Sequence, residues 1–300
     1  MKKNILTFLA IFISSISFSQ DIIEDSPYKM NQKYEKIHHK ERKNVVLNPV
    51  READVMWSRK IWRDIDLRQK MNHPLYYPQE NEIVKTVERD NLFTTLYNAA
   101  TTEQSIRIFN ANFDDEFQNE IDKEELERIV QGSIVKIEML DRDGETMYDE
   151  NGEIMYEEGT ERKDGISQRN IKTWRVKEEW FFDKQRSVMD VRIIGLCPIA
   201  DQMDANGELT GIKQKICWFY FPEVRTVLKN SLAYNLVKNE AENKTYEDIF
   251  MKRMFASTIV REGNVYDRRI DQYKIGLDAL LEAERIKEEI FNIEHDLWEY

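Results

Sequence analysis

The stretch Trp174-Arg-Val-Lys-Glu-Glu-Trp-Phe-Phe182 decides the fold class of this chain. Its apolar residues Trp174, Val176, Trp180 and Phe182 fall on even-numbered positions, and charged residues fill most of the positions between them. Successive side chains of a β-strand point to opposite faces of a sheet, so this alternation predicts a strand with one buried face. The middle of the chain is therefore expected to form a sheet.

The segments on either side indicate further strands of that sheet. β-branched and aromatic runs predict strands over residues 133–140, 188–196 and 216–221. Between the strands lie dipeptides that tolerate positive φ and favour tight hairpins. These turn signals are Asp143-Gly144, Asn151-Gly152 and Asn206-Gly207. We therefore predict a mostly antiparallel meander.

A helix is predicted to open the folded part of the chain. Asn48 suits an N-cap, and Pro49 suits the first helical position, where its missing N–H costs nothing. Trp57, Ile61 and Ile65 then recur at helical spacing. We expect this face to be buried.

Further helices are predicted over residues 80–98, 114–130 and 246–260, and the last over residues 267–298. The last helix carries an apolar stripe that needs a cover, either its own domain or another protein. Its residues are Ile270, Tyr273, Leu277, Leu280, Ile286, Ile290, Ile293 and Leu297. The fold class is therefore α+β: helices, then a mostly antiparallel meander sheet, then C-terminal helices.

The first residues have the layout of a secretory signal peptide. Lys2 and Lys3 precede an apolar run from Ile5 to Ile16, and small residues follow. Cleavage after Ser19 would leave Gln20 as the first mature residue. No cysteine lies at this junction, so we expect a soluble periplasmic protein without a lipid anchor or direct membrane insertion.

Composition shifts predict four segments. Residues 1–19 form the signal peptide, and the polar, lysine-rich residues 20–47 form an extended arm. Residues 48–240 form the α+β core domain, and residues 241–300 form a C-terminal helical segment.

The charge balance argues against two classes of partner. The chain has 44 basic and 56 acidic residues, which gives a formal net charge of −12 at pH 7. Such a surface repels nucleic-acid phosphates and anionic lipid headgroups. We therefore expect neither nucleic acid nor a membrane surface as a partner.

No set of residues indicates a reactive centre. The nucleophile elbow, the zinc-protease helix, the Walker loop and the dinucleotide turn are all missing from the sequence. His38 and His39 with Glu41 could bind zinc, but adjacent histidines in a lysine-rich stretch are usually solvated. Acidic turns near Asp141 and Asp204 fit hairpins better than calcium loops. We predict no metal, no cofactor and no enzymatic activity.

The two cysteines leave a question open. Cys197 and Cys217 lie about equally far from the turn at Asn206-Gly207, and the periplasm is oxidising. A two-residue turn would put Cys197 opposite Ile216 and Cys217 on the other face, whereas a longer loop or a bulge would bring the two cysteines together. A disulfide therefore depends on the register.

Two blocks of sequence are more specific than any pattern above. The first is Trp57-Ser-Arg-Lys-Ile-Trp-Arg-Asp-Ile-Asp-Leu-Arg-Gln-Lys-Met-Asn-His-Pro-Leu-Tyr-Tyr-Pro78, and the second is Cys217-Trp-Phe-Tyr-Phe-Pro-Glu-Val-Arg225. Both resemble signature blocks of the gliding-motility GldN / PorN family. The signal peptide and the overall length also fit that family.

This resemblance implies a part in type IX secretion and gliding motility. It implies a periplasmic protein that forms a ring, as copies of itself, with a GldK / PorK-type outer-membrane lipoprotein. It also implies contact with a GldM / PorM-type inner-membrane motor protein. The alternatives are an exported hydrolase that uses a carboxylate pair, and an adaptor that binds secreted cargo through aromatic edge strands.

Candidate interface residues come from the same two blocks, because Trp, Tyr and Arg dominate binding hot spots. The plainer alternative is that the tryptophans are core residues and the arginines form a solvated, internally paired face. The candidates are Trp57, Arg59, Trp62, Arg63, Arg68, Tyr76, Tyr77, Trp218 and Arg225.

Overall fold

The computed structural model describes residues 38–79, 89–111, 115–131, 133–135, 161–163, 166, 168–203, 209–236 and 243–298. It divides the chain after Glu41, into a unit of residues 1–41 and a unit of residues 42–300. The described part of the first unit is helix α1 (His38–Glu41). The remaining elements belong to the second unit.

The second unit is organised around one antiparallel sheet of seven strands. The strand order is β2-β8-β6-β5-β1-β9, and β7 pairs with β6 beside this path. The strands are β1 (Val55–Asp66), β2 (Ile108–Asn110), β5 (Ile171–Asp183), β6 (Val188–Met203), β7 (Leu209–Lys215), β8 (Cys217–Tyr220) and β9 (Thr258–Glu262). A separate pair consists of β3 (Ser133–Val135) and β4 (Glu161–Lys163).

Helices follow and precede the strands. They are α2 (His73–Tyr76), α3 (Leu92–Thr101), α4 (Lys123–Gln131), α5 (Phe221–Asn230), α6 (Tyr246–Met251) and α7 (Leu277–Trp298). The α+β fold class predicted from the sequence is confirmed. No helix in the described ranges is both long enough and apolar enough to cross a bilayer.

The deciding stretch lies in β5, at the centre of the sheet, and the strand prediction is confirmed. β5 pairs with β6 along almost its whole length, from Asp183↔Val188 at the hairpin to Ile171↔Ala200 at the far end. Trp174 and Val176 are fully buried on one face. The turn between the two strands ends at Ser187, which has a φ of 52°.

The first predicted helix is wrong, because residues 55–66 form strand β1. Trp57, Ile61 and Ile65 are spaced four residues apart, and a spacing of four keeps side chains on one face of a strand as well as of a helix. Tertiary pairing decides between the two. β1 pairs with β5 on one side from Val55 to Asp66, and with β9 on the other from Ile61 to Asp64.

The helix predicted over residues 246–260 is wrong in its second half. α6 ends at Met251, Arg253 adopts a φ of 52°, and β9 begins at Thr258. A Thr245–Asp248 capping box fixes where α6 begins. The predicted C-terminal helical segment therefore contributes a strand to the main sheet.

Other boundaries also differ from the prediction. α3 begins at Leu92, where Asn91 Oδ1 accepts a hydrogen bond of 2.7 Å from the Thr94 amide, and residues 80–88 lie outside the described residues. α4 begins at Lys123 rather than at 114, and α7 begins after Gly276, which has a φ of 61°.

Two further predictions fall partly outside the described residues. Of the strand predicted over residues 133–140, only Ser133–Val135 is described, and all three turn dipeptides lie outside. The strand predicted over 216–221 ends at Tyr220, because Pro222 in the first turn starts α5 at Phe221. β7 was not predicted.

Three apolar clusters form the core. The largest lies between one face of the sheet and helices α2 to α6, and includes Trp174, Phe219 and Tyr246. A second joins Ile61 of β1 to Ile286 and Ile290 of α7. The chain itself therefore covers the predicted stripe of the last helix at Ile286 and Ile290, whereas Leu277 and Leu280 are exposed. The third lies on the opposite face of the sheet and holds the buried side chains of Trp62, Phe109, Ala111, Cys197 and Trp218.

The predicted segment boundaries at 47/48 and 240/241 do not coincide with the division of the structure. Residues 42–300 form one unit, in which residues 42–47 and 243–298 join the same fold as the core. The pairing of β1 with β9 explains why the C-terminal segment does not separate.

Candidate functional site

The first notable site is a buried ion-pair cluster around Glu178, which we call the Glu178 cluster (Arg63, Glu178, Trp180 and Arg253). Glu178 lies on the buried face of β5 and has no solvent exposure. Arg63 Nε and Trp180 Nε1 donate to its Oε2 at 3.1 Å and 3.0 Å. Arg253 lies 2.9 Å from Oε1 and donates to Oε2 at 3.1 Å. The carboxylate therefore joins β1, β5 and the segment before β9.

Electrostatics and packing support the same cluster. Burial lowers the pKa of Arg63 and the nearby Arg253 adds to this, while Glu178 opposes it. The guanidinium groups of Arg63 and Arg253 lie 5.5 Å and 5.3 Å from the centroid of the Trp180 ring. Because cationic donors contact both oxygens of Glu178, this carboxylate holds β1, β5 and the segment before β9 together.

The second site attaches residues 42–48, which we call the docked segment, to helices α5 and α6. Glu247 of α6 is fully buried and lies 2.9 Å from Arg225 of α5. Its Oε1 also accepts a hydrogen bond of 3.2 Å from the Val45 amide, and Arg225 donates to the Val45 carbonyl. Lys229 donates to the Arg42 carbonyl at 3.0 Å. Part of the predicted arm is therefore fixed against the fold.

Arg42 holds the start of the docked segment. Its guanidinium donates to Thr245 Oγ1 at 2.6 Å and lies 3.0 Å from Asp248 Oδ2. Burial alone would raise the pKa of Asp248, but the hydrogen bonds from Arg42 and Thr245 outweigh it and lower that pKa. At the other end, Arg192 of β6 donates to the Asn48 carbonyl at 3.0 Å.

An apolar cavity of about 250 Å³ lies beside the docked segment. Leu47, Val191, Ile193, Phe221 and Phe250 contribute apolar wall. In the described residues, β6 pairs with β5 from Val188 onward but meets β8 only at Gly195 and Leu196. The first half of β6 therefore has one edge without a strand partner, next to this cavity.

The third site lies on the face of the sheet opposite the largest apolar cluster, and it surrounds Lys177 of β5. This nearly buried ammonium donates to the Asp115 carbonyl and lies 5.5 Å from the ring centroids of both Trp62 and Phe117. Burial lowers the pKa of Lys177, and Asp115 opposes this shift. Arg261 stacks on Trp62, with 4.0 Å between the guanidinium carbon and the ring centroid.

Phe117 closes this third site. It adopts a φ of 60°, and its ring packs so closely on Gly195 that a Cβ there would lie 2.4 Å from the ring. Positive φ is unfavourable for a large residue, so contacts with Phe109, Trp218 and Tyr220 must offset the strain. An open cavity of about 540 Å³ lies beside it, lined partly by Lys60 and Arg107.

The structure divides the candidate interface residues into two groups. Trp62, Arg63 and Trp218 are buried within the chain, so they offer a partner little surface and the core alternative describes them. Trp57 packs under α7, and Arg59 lies over it while pairing with Glu262 and Glu289 at 3.1 Å and 3.0 Å.

The other candidates lie nearer the surface. Arg225 belongs to the docked-segment site, and Arg68 is exposed and pairs with Asp66. Tyr76 is half-buried, whereas Tyr77 is exposed and packs against the rings of Tyr76, His73 and Tyr234. Arg68 and Tyr77 are the candidates most open to solvent.

Sequence reasoning did not identify Glu178, Lys177 or Glu247 as important. For Glu178 a signal was present, since it occupies an even-numbered position in the alternation of β5 between Val176 and Trp180. A charged residue on a buried face requires a partner of opposite charge, and that partner, Arg63, lies 115 positions away in the chain.

Both cysteines are free and fully buried, so the disulfide alternative is wrong. Cys197 belongs to the cluster around Trp218, whereas Cys217 belongs to the main cluster on the other face. Burial raises the pKa of Cys197 to about 12 and raises that of Cys217 as well. In the described residues, no three His, Cys, Asp or Glu side chains converge as metal ligands.

Exposed apolar side chains are concentrated near the end of the chain. Of the large apolar side chains exposed in the described residues, half lie between Val265 and Phe291. Four of them project from α7: Leu277, Leu280, Leu281 and Phe291. Exposed apolar residues that cluster in this way are typical of an interaction surface.

Comparison with known proteins places these features in a family. A family model described as "Gliding motility associated protein GldN" matches residues 50–299. That range contains both quoted sequence blocks, the Glu178 cluster and α7. No curated protein matches the chain significantly.

Proposed function

The chain belongs to the GldN family of gliding motility associated proteins, and from that premise we propose that it is a non-catalytic structural subunit of a periplasmic ring. The family is associated with gliding motility and type IX protein secretion. In this proposal the subunit links an outer-membrane lipoprotein to an inner-membrane motor complex.

The proposal names three partners. They are a GldK / PorK-type lipoprotein, a GldM / PorM-type motor protein and further copies of this chain. The location is the periplasm, on the inner face of the outer membrane, reached through the predicted signal peptide and held by the lipoprotein.

The family match over residues 50–299 carries this proposal, because it spans most of the described structure. The chemistry of the buried carboxylates is compatible with it. Glu178 is bound by two arginines and Glu247 by Arg225. A hydrolase based on these carboxylates would need one of them free to exchange a proton or to attack a substrate.

Gentle detergent extraction of envelopes, followed by size-exclusion chromatography and mass spectrometry, tests the ring. We expect the chain to elute in an assembly far larger than its 36.0 kDa, together with one lipoprotein in a fixed ratio. A chain that elutes as a monomer without a lipoprotein would contradict the proposal. Glycoside hydrolysis abolished by a single carboxylate substitution would favour the exported hydrolase instead.

One observation favours a cargo adaptor as the second candidate. Within the described residues, the edge of β6 before Gly195 has no strand partner and lies beside the apolar cavity, an arrangement to which an extended peptide can add as a strand. Site-specific photocrosslinking from Arg192, at this edge, separates the two functions. Crosslinks to many passing secreted proteins would support an adaptor, whereas crosslinks to one constant partner would support the ring subunit.

A further inference from the structure

Helix α7 has two apolar faces on opposite sides. The inner face packs on the sheet, where Ile286 and Ile290 are 0% and 4% exposed. The outer face carries Leu277, Leu281 and Phe291, which are 70%, 60% and 66% exposed. At about 100° of rotation per residue, Ile286 lies roughly 180° from Leu277 around the helix axis. Leu277 and Leu281 therefore lie away from the inner face, whereas Phe291 lies about 100° from Ile290 and so nearer to it.

The outer face follows a coiled-coil spacing. Leu277, Leu281, Glu284, Glu288 and Phe291 are separated by alternating steps of four and three residues, the spacing of the contact positions in a heptad repeat. We call these five residues the outer seam. The seam is apolar at both ends and acidic at its centre.

The two central glutamates are open to a partner. Glu284 has an ion pair of 2.8 Å with Lys287, but both side chains are more than half exposed, so the pair exchanges readily with solvent. Glu288 is exposed and has no ion-pair partner among the described residues. Two carboxylates at contact positions favour lysine or arginine on a facing helix.

A second copy of this chain does not fit the seam. Glu284 is the midpoint between Leu277 and Phe291. A parallel second α7 in register would place both glutamates against their own copies, and an antiparallel one centred on Glu284 would place the two copies of that glutamate together. The formal net charge of −12 adds to that repulsion. The occupant must therefore present different side chains to the centre of the seam from those of a second α7.

We propose that the outer seam docks an amphipathic helix of a partner protein, with apolar residues at the ends of its contact stripe and basic residues at the centre. This rests on the proposed function, because it describes the helix that a constant partner of the assembly presents. About 21 Å of α7 lies between Leu277 and Phe291, at 1.5 Å per residue, which corresponds to about four turns of a partner helix.

The test uses the full chain and two synthetic helical peptides that carry a fluorophore. Both peptides present leucines to the seam ends, and they differ only in having two lysines or two glutamates at the central contact positions. By fluorescence anisotropy, we expect the lysine peptide to bind at least tenfold more tightly than the glutamate peptide.

Variants of the chain complete the test. Leu281→Ser/Phe291→Ser is expected to weaken binding of the lysine peptide at least tenfold. Ile212→Ser, which changes an equally exposed apolar residue on β7, is the matched control and should leave binding unchanged. Glu284→Lys/Glu288→Lys is expected to reverse the preference in favour of the glutamate peptide.

Equal binding of the two peptides, or no loss in the seam variant, would overturn the proposal. A concentration-dependent dimer of the wild-type chain that the seam variant abolishes would also overturn it, because the occupant would then be a second copy. Chromatography of envelope extracts distinguishes a failure of the seam proposal from a failure of the proposed function. If the seam variant still elutes in the large lipoprotein assembly, the seam proposal fails and the ring survives; if the wild-type chain elutes alone, the ring itself fails.

Discussion

Replacing Glu178 by leucine is expected to be among the most damaging single changes to the fold, because this carboxylate is the shared partner of Arg63, Arg253 and Trp180. The change leaves the buried guanidinium of Arg63 without its counter-ion. Removing one partner of a buried ion pair costs about 3–5 kcal/mol. Arg253 retains 28% side-chain exposure and is better solvated once unpaired, so its share is smaller. We expect the free energy of unfolding to fall by about 3–5 kcal/mol.

A companion variant tests the cause of that loss. Arg63→Met/Glu178→Leu/Arg253→Met removes both cations together with the carboxylate, so no buried charge is left unpaired. Replacing a whole buried ion network by apolar residues of similar volume is often neutral or stabilising. The triple variant should therefore be more stable than the single variant, although it carries more substitutions.

Urea unfolding followed by tryptophan fluorescence at pH 7 measures both effects. Glu52→Leu, at an exposed position in the turn before β1, is the control and should change stability by less than about 0.5 kcal/mol. A loss below about 1 kcal/mol in Glu178→Leu would refute the reasoning. A triple variant less stable than the single variant would refute it equally.

Three further outcomes are expected. Gly195→Ala should destabilise the chain by about 1–3 kcal/mol in thermal unfolding, because its Cβ would meet the Phe117 ring at 2.4 Å. Gly263→Ala is the control and should cost clearly less, because a Cβ at Gly263 has its nearest neighbour at 3.5 Å. The lowered pKa of Asp248 means that its paired carboxylate stabilises the fold above the ordinary value of 3.8 and loses that contribution as the pH falls through the lowered pKa. Urea unfolding between pH 5 and pH 2.5 should therefore show a shallower acid loss in Arg42→Ala than in the wild type, and equal slopes would contradict the pairing. The two buried thiols should not react with a thiol reagent in the native chain, and both should react in denaturant without prior reduction.

The sequence predicted the central strands well, because β5 and β6 pair with each other through a short turn and carry their own alternation. It failed for β1, whose four-residue spacing fits a helix and a strand equally. What distinguishes the two is a pair of neighbours far along the chain, β5 and β9, and local pattern contains no information about them. The helix predicted over residues 246–260 ran into strand β9 for the same reason, because the strand partner of β9 is β1, far away in the sequence.

The candidate site was predicted less well than the fold. Tryptophan and arginine residues of β1 were predicted as interface candidates, but their partners within the chain were not identified, so Arg63 could be interpreted as a surface contact until its bond to Glu178 was seen. Alternation places a side chain on a face, whereas burial depends on what covers that face. For the last helix, periodicity predicted one stripe, whereas the structure buries Ile286 and Ile290 and exposes Leu277 and Leu280, because the period alone does not separate two apolar faces on one helix.

The pairing of β1 with β9 also has a consequence for how the chain reaches its folded form. Ile61 and Glu262 are partners across about two-thirds of the polypeptide, so this part of the sheet cannot close until nearly all of the chain is free to collapse. Contacts between such distant positions slow folding, because a long loop must be ordered before they form. During synthesis β1 therefore stays without one of its two strand neighbours until residues 258–262 have been made.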